Sequence, residues 1–301
     1  MNRYTLYFPL TAILLIAVVA CLSCRGDSHA DKMMDCADSV MVEHPDSALH
    51  LLRKLGESTS GCSYSQQMRY RLLLADALNK TDFDMSKDTL VASFLSYYNS
   101  KGSKKDKARA NYLMGRVCDS KGDSPNALHY FHKAVEMMDS TGTKEELRML
   151  ATVYCQMAKL YGESFLSEPQ KEYINKASHI FTLCKDTAMA LMIKGELADV
   201  YARKGDLASA VVVARNVSDQ LVAQDHEAMS AYVRIKEMHY ILKLRQIDAA
   251  MVAIAKLEHV IRLWSSNNHL VTIYNCYKAQ LLEQKGEEDS AFAYYNQVLP
   301  H

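Results

Sequence analysis

The chain has 301 residues, a length that allows one large domain, two ordinary ones or a repeat array. Only eleven Gly and five Pro accompany 49% hydrophobic and 23% charged residues, which favours helices and disfavours both a turn-rich β-sandwich and a disordered chain. Thirty-five Lys and Arg balance 35 Asp and Glu, so no positive excess exists to neutralise a phosphate backbone, and nucleic acid is not expected as a partner.

The first element is an apolar run, Leu10 to Ala20, behind Arg3 and followed at once by Cys21. It is too short to span a bilayer and has the form of a secretory signal peptide. Val18-Val19-Ala20-Cys21 resembles the lipobox of bacterial lipoproteins, which implies cleavage before Cys21 and lipid on its thiol. Leu22-Ser23-Cys24 offers a second reading, with Cys24 as the lipid-bearing residue. Residues 1–20 are therefore read as a signal and 21–30 as a tether, with the protein lipid-anchored to the inner or outer membrane and facing the periplasm or the surface. The remaining cysteines, at 36, 62, 118, 155, 184 and 276, lack paired spacing, so neither a zinc site nor a dense disulfide framework is expected.

From residue 31 onward one spacing returns. Gly122 to Ala127, Gly205 to Ala210 and Gly286 to Ala291 each carry an acid after the Gly, and each Ala opens an apolar pattern four and seven residues later. That pattern is the buried face of a helix. A small residue lies twelve before each Ala: Gly115, Ala198 and Ala279. Weaker copies start at Ala48, at Ala250, and at Ala177 after a longer connection containing Pro169. The successive Ala residues from Ala127 lie 50, 33, 40 and 41 apart. Between them, 62–107 reads as a degenerate helix pair joined by the polar stretch 79–87, and Asn99 to Lys107, with four Lys, reads as a solvated loop.

Asn111-x2-Met114-Gly115-x2-Cys118 with Ala127-x3-Phe131-x2-Ala134 resembles the tetratricopeptide repeat, a helix pair of about 34 residues. Lys194-x2-Leu197-Ala198-x2-Tyr201 and Tyr154-x2-Met157-Ala158-x2-Tyr161 follow the same pattern, without its Trp or terminal Pro. The fold expected is all-α, a right-handed α-solenoid of antiparallel helix pairs over 31–301, with repeats near 31–60, 62–99, 108–141, 147–187, 191–223, 228–263 and 272–301.

No metalloprotease, nucleophile-elbow, Walker or dinucleotide motif is present, and His129 and His132 read as helix-surface residues. The chain is expected to be no enzyme and to need no metal or cofactor. The resemblance implies a groove for a protein or peptide partner, on positions one turn either side of the small contact residue: Arg109, Tyr112, Arg116, Lys159, Asp199, Arg203, Tyr232 and His239. The Lys/Asn clamp that some such repeats use for an acidic tail is not reproduced. Two other functions compete with an envelope scaffold. One is the sensory module of a signalling regulator whose membrane helix and output domain are missing here, since Ala108 to Arg116 is similar to envelope repeat proteins of that kind. The other is glycan capture, for which the single Trp264 is a poor platform. At the C-terminal end Tyr294, Tyr295 and Val298 are expected to form an apolar strip that self-associates or meets a partner.

Overall fold

The computed structural model describes residues 29–56, 58–81, 85, 89–263 and 268–298; Cys21, Cys24 and Trp264 lie outside them. The described residues form helices and turns without a strand, in two compact units, Met1–Met138 and Asp139–His301.

In the first unit α1 covers 29–40, so His29 and Ala30 of the expected tether are already helical and Ala30 is buried. It is followed by α2 (Pro45–Gly56), α3 (Tyr64–Lys80), α4 (Leu90–Lys101), α5 (Lys104–Ser120) and α6 (Ser124–Glu136). The expected loop from Asn99 to Lys107 is instead the end of α4, a two-residue joint at Gly102 and Ser103, and the first turn of α5. Ser103 accepts from the Asp106 N–H while the Asp106 carboxylate accepts from the Ser103 N–H. This reciprocal cap stabilises the helix start by about 1 kcal/mol, which a reading of the four Lys as solvated chain overlooks. Gly115 on α5 faces Phe131 on α6 so closely that an added Cβ would lie 2.5 Å from the ring. The small residue is thus the seat of the large one.

The second unit begins with α7 (Lys144–Glu163), capped reciprocally by Thr143 and Glu146, and α8 (Ser167–Leu183). The first helix of the next pair is broken into α9 (Thr187–Gly195) and α10 (Leu197–Arg203) at Glu196, where the hydrogen bonds shorten to three-residue spacing. A Cβ on Gly195 would sit 3.3 Å from Val233, so glycine lets α12 approach at the break. The unit continues through α11 (Leu207–Ala223), α12 (Glu227–Lys243), α13 (Ile247–Leu263), α14 (Asn268–Gln284) and α15 (Glu288–Asn296). Its core runs through Ala198, Ala210, Leu221, Met238, Ile241 and Leu257. Buried beside it, Arg234 and Glu237 of α12 reach the oppositely charged Asp219 and Arg215 of α11 at 3.0 and 2.8 Å.

Pro169 does not sit in a long connection. It lies in the first turn of α8, where its missing N–H is no loss, after a turn of only three residues, 164–166. Counting five residues from that turn, as in the Gly-containing copies, brings Gln170 rather than Ala177 to the repeat's small position. The side chain of Gln170 fits because Gly162 leaves it room; a Cβ there would approach the amide to 2.6 Å. With Gln170 in register the uneven intervals of 50 and 33 become 43 and 40. The period of 40 is built from 17-residue helices and three-residue turns, longer than the ~34 of the repeat it resembles.

The turns share one geometry. At 121–123, 164–166, 184–186, 204–206, 224–226, 244–246 and 285–287 the middle residue is left-handed, and the third N–H donates to the carbonyl five residues back. This closes the helix end. Gly122, Gly205 and Gly286 adopt the conformation freely, whereas Phe165, Lys185, Asp225 and Arg245 hold φ between 55° and 60°. Phe165 puts a bulky side chain in that conformation, and Leu166 beside it fails to cap α8. Replacing the pair by Phe165→Gly and Leu166→Asp should raise stability by about 1–2 kcal/mol, read as a later urea midpoint; an unchanged midpoint contradicts the assigned turn.

Candidate interaction surface

The eight residues expected to line a groove divide between the two units. In the first unit Arg109 and Tyr112 are buried rather than groove-lining. The Arg109 guanidinium bonds Asp76 on α3 at 2.7 Å and Asp38 on α1 at 2.8 Å, locking the first helices of three successive pairs. Burial disfavours its charge, but the two carboxylates outweigh that and raise its pKa. Tyr112 lies on Phe131 with ring centres 6.0 Å apart. Arg116 is half-buried, its Nε 4.0 Å from Asp119. Position on the helix suggested exposure for Arg109 and Tyr112, but the packing of α5 on its neighbours takes both.

In the second unit Lys159, Asp199 and His239 fall at the same place on α7, α10 and α12, each 40 residues from the next. Lys159 is exposed and pairs with Glu163 at 3.5 Å. Asp199 accepts from Lys236 Nζ at 2.5 Å and from the Tyr240 hydroxyl, and Lys236 also reaches Glu196 at 2.9 Å. Burial alone would lower the Lys236 pKa, but the two carboxylates raise it; burial and the bond to Asp199 raise that of Tyr240. These bonds join α10 to α12 across the repeat boundary. Arg203 is engaged too, donating to Gln170 of α8. Tyr232, on α12, is 47% exposed.

His239 lies half-buried, edge-on to Tyr240 and Tyr277 at 5.2 and 6.2 Å. Burial, with Lys243 adding, lowers its pKa from 6.5 against the pull of Asp199. The unfolded chain therefore takes up the proton first, so stability is full above about pH 6.5 and falls as the pH drops below it through the lower folded value. Thermal scans should show a steeper loss on acidification for the wild type than for His239→Gln, and parallel curves would refute the assignment.

Cys155 belongs to the same face. Burial, and then Glu196, push its thiol up to about 12. Cys155 is half-buried; Cys118 and Cys184 are buried, with raised pKa values, whereas Cys36 is exposed. Only Cys36 of these four should be alkylated by iodoacetamide near about pH 8 before denaturant is added, as peptide mass spectrometry would report. Ready modification of Cys155 in the folded chain would contradict its raised pKa.

Glu196, Lys236, Tyr240 and Cys155 were not singled out from the sequence. The signal for them was the opposite charge of Glu196 and Lys236 at a 40-residue interval, visible once that period is known. At the C-terminal end Tyr294 packs against the core and the Tyr295 hydroxyl donates to Glu283 at 3.1 Å, so the fold itself uses both; Val298 is half-buried. His129 and His132 are exposed on α6, and no cluster of three metal-ligating side chains occurs among the described residues.

No family model matches the chain, and no curated protein matches it. Among solved structures, BtubC (BKLC) from P. vanneervenii is 16% identical, over 82% of this chain and 93% of that one, with a TM-score of 0.53. The Rap protein complexed with Competence and Sporulation Factor is 11% identical over 90% and 96%, with a TM-score of 0.41. The APC/C hetero-tetramer Cut9-Hcn1 gives 15% over 89% and 55%, with a TM-score of 0.33. At these identities the likeness concerns fold alone. The chain is an all-α protein of antiparallel helix pairs, TPR-like in its repeat.

Proposed function

We propose that this chain is a non-enzymatic scaffold of the bacterial envelope, anchored through lipid on Cys21, that holds a protein or peptide partner on the first-helix face of its second unit. The observation that carries the reading is the row Lys159, Asp199 and His239 beside exposed Tyr232, with Asp199 fixed by bonds from α12. Side chains held before a partner arrives lose little entropy on binding, which is what a recognition surface requires.

The test is a photo-crosslinking residue, p-benzoylphenylalanine, placed at Tyr232 or at Glu172 on the outward face of α8, in cells carrying the native envelope. Adducts with a polypeptide at 232 and none at 172 are expected; no adduct at 232 overturns the reading. Anchoring is tested separately, by mass spectrometry of the N-terminal peptide. A diacylated Cys21 is expected, and lipid that persists in Cys21→Ala moves the site to Cys24.

A further inference from the structure

The connection from α2 to α3, in the first unit, carries a short helical turn, Thr59–Gly61, and beside it lies a cavity of about 320 Å³. Its wall comes from that turn (Thr59 and Ser60), from α3 (Gln67, Tyr70 and Arg71) and from Leu90, which opens α4. A space of that size stands at the lower end of those that hold small molecules. Among the described residues no acidic side chain lines it.

The side-chain donors on this wall are of two kinds. Some are already used: Thr59 Oγ1 donates to the Gly56 carbonyl at 3.0 Å, and Gln67 Nε2 donates to the Cys62 carbonyl at 3.0 Å. The Ser60 hydroxyl, the Tyr70 hydroxyl and the Arg71 guanidinium make no hydrogen bond or ion pair among the described residues. Tyr70 reaches the end of α2 because residue 56 is Gly; a Cβ there would lie 2.6 Å from its hydroxyl. Burial raises the Tyr70 pKa, so the phenol keeps its proton and remains a donor. Arg71 is half-buried without a counter-charge. Arg69, two residues earlier on the same helix, has two, in Asp31 and Asp35 of α1 at 3.8 and 2.5 Å. Arg53 and Lys54, in the last turn of α2, add positive charge at the helix end that Gly56 closes.

We propose that this cavity binds the carboxylate or phosphate of a small organic anion. Arg71 meets the anion with its planar fork, Tyr70 and Ser60 donate to the same group, and the rest of the ligand lies against the Tyr70 ring and Leu90. Carboxylate and phosphate both present the paired oxygens that a guanidinium recognises. A guanidinium partly withdrawn from water, with no acid beside it, gains more from such a partner than one already paired.

Benzoate and phenyl phosphate carry the two kinds of anion on one ring, and benzyl alcohol carries the ring without charge. In the full chain, held in detergent micelles and labelled with fluorotyrosine, the fluorine resonance that disappears in Tyr70→Phe reports on the site. Benzoate or phenyl phosphate should shift that resonance saturably, with a dissociation constant on the order of 1 mM, and benzyl alcohol should not. Whichever anion binds more tightly identifies the acidic group of the ligand. Arg71→Met should weaken binding roughly tenfold or more. Arg71→Lys, which keeps the charge and loses the fork, should weaken it less. Because the fold gives Arg71 no partner, neither variant should change the ellipticity or the urea midpoint, and the loss is then one of recognition. No shift with either anion, an equal shift with benzyl alcohol, or binding indifferent to Arg71→Met would each overturn the proposal.

Discussion

Replacing Arg109 with methionine is expected to cost about 3–5 kcal/mol, a large part of the 5–15 kcal/mol that holds a domain together. The first unit should then unfold at a much lower urea concentration, or be open without urea. Asp76 is buried on α3, and the guanidinium supplies it with two bonds, from Nε at 2.7 Å and from Nη2 at 2.5 Å. Lys80, one turn on, lies 3.7 Å away and half-covers one oxygen. Removing the guanidinium leaves a carboxylate in the protein with its principal partner gone, and Asp38 loses its contact at the same stroke. The loss comes from the abandoned charge more than from the missing bond. The double variant Asp76→Leu with Arg109→Met, which leaves no charge behind at that contact, should therefore recover most of it. Urea melts followed by ellipticity, with hydrogen exchange on α1, α3 and α5, measure both. A double variant as unstable as Arg109→Met would show that the three helices depend on the ion pair itself.

The helix pairs were legible because the features that make them are local: a small residue, twelve residues later another, and a Gly-acid turn between. Where the chain departs from those signals, the structure departs from what the sequence suggests. Phe165 and Leu166 stand where the Gly-containing copies have Gly and an acid, so the turn before α8 carries no local signal and Ala177, not Gln170, matches the apolar pattern. Ser103 and Asp106 form their cap from residues that also suit a loop, and the lysines around them outweighed it. The groove residues were harder, because exposure depends on what the next repeat contributes. Arg109 looks solvent-facing on its own helix and is buried only because Asp38 and Asp76, 71 and 33 residues earlier, are waiting for it. Asp199 and His239 did fall on one face, since position in the repeat alone decides that. The partners that fix Asp199 became visible only with the 40-residue period, which the sequence alone had blurred.

Truncating Phe131 to alanine should cost about 3–5 kcal/mol, and the loss should shrink when Gly115 is enlarged in the same chain. Phe131 is fully buried, and its ring occupies the place a side chain at 115 would take. The same sixteen-residue pairing recurs with other sizes, Ala158 with Ile174, Ala198 with Ala214, Met238 with Ile254 and Ala279 with Tyr295. Met238, buried in the same core as Ile254, shows that the first helix can carry a large residue at this place. Gly115→Leu alone meets the ring at 2.5 Å or less and should cost about 1–3 kcal/mol or more from overpacking. Combined with Phe131→Ala, the leucine enters the vacated space, restores cover to Tyr112, and adds the helix preference that glycine lacks, worth up to about 1 kcal/mol. The double variant should thus be more stable than Phe131→Ala alone, with a coupling between the two sites of about 0.5–3 kcal/mol. Four urea melts complete the cycle. Strictly additive losses would mean that residues 115 and 131 do not share a crossing, and the register on which every other pair was aligned would have to move.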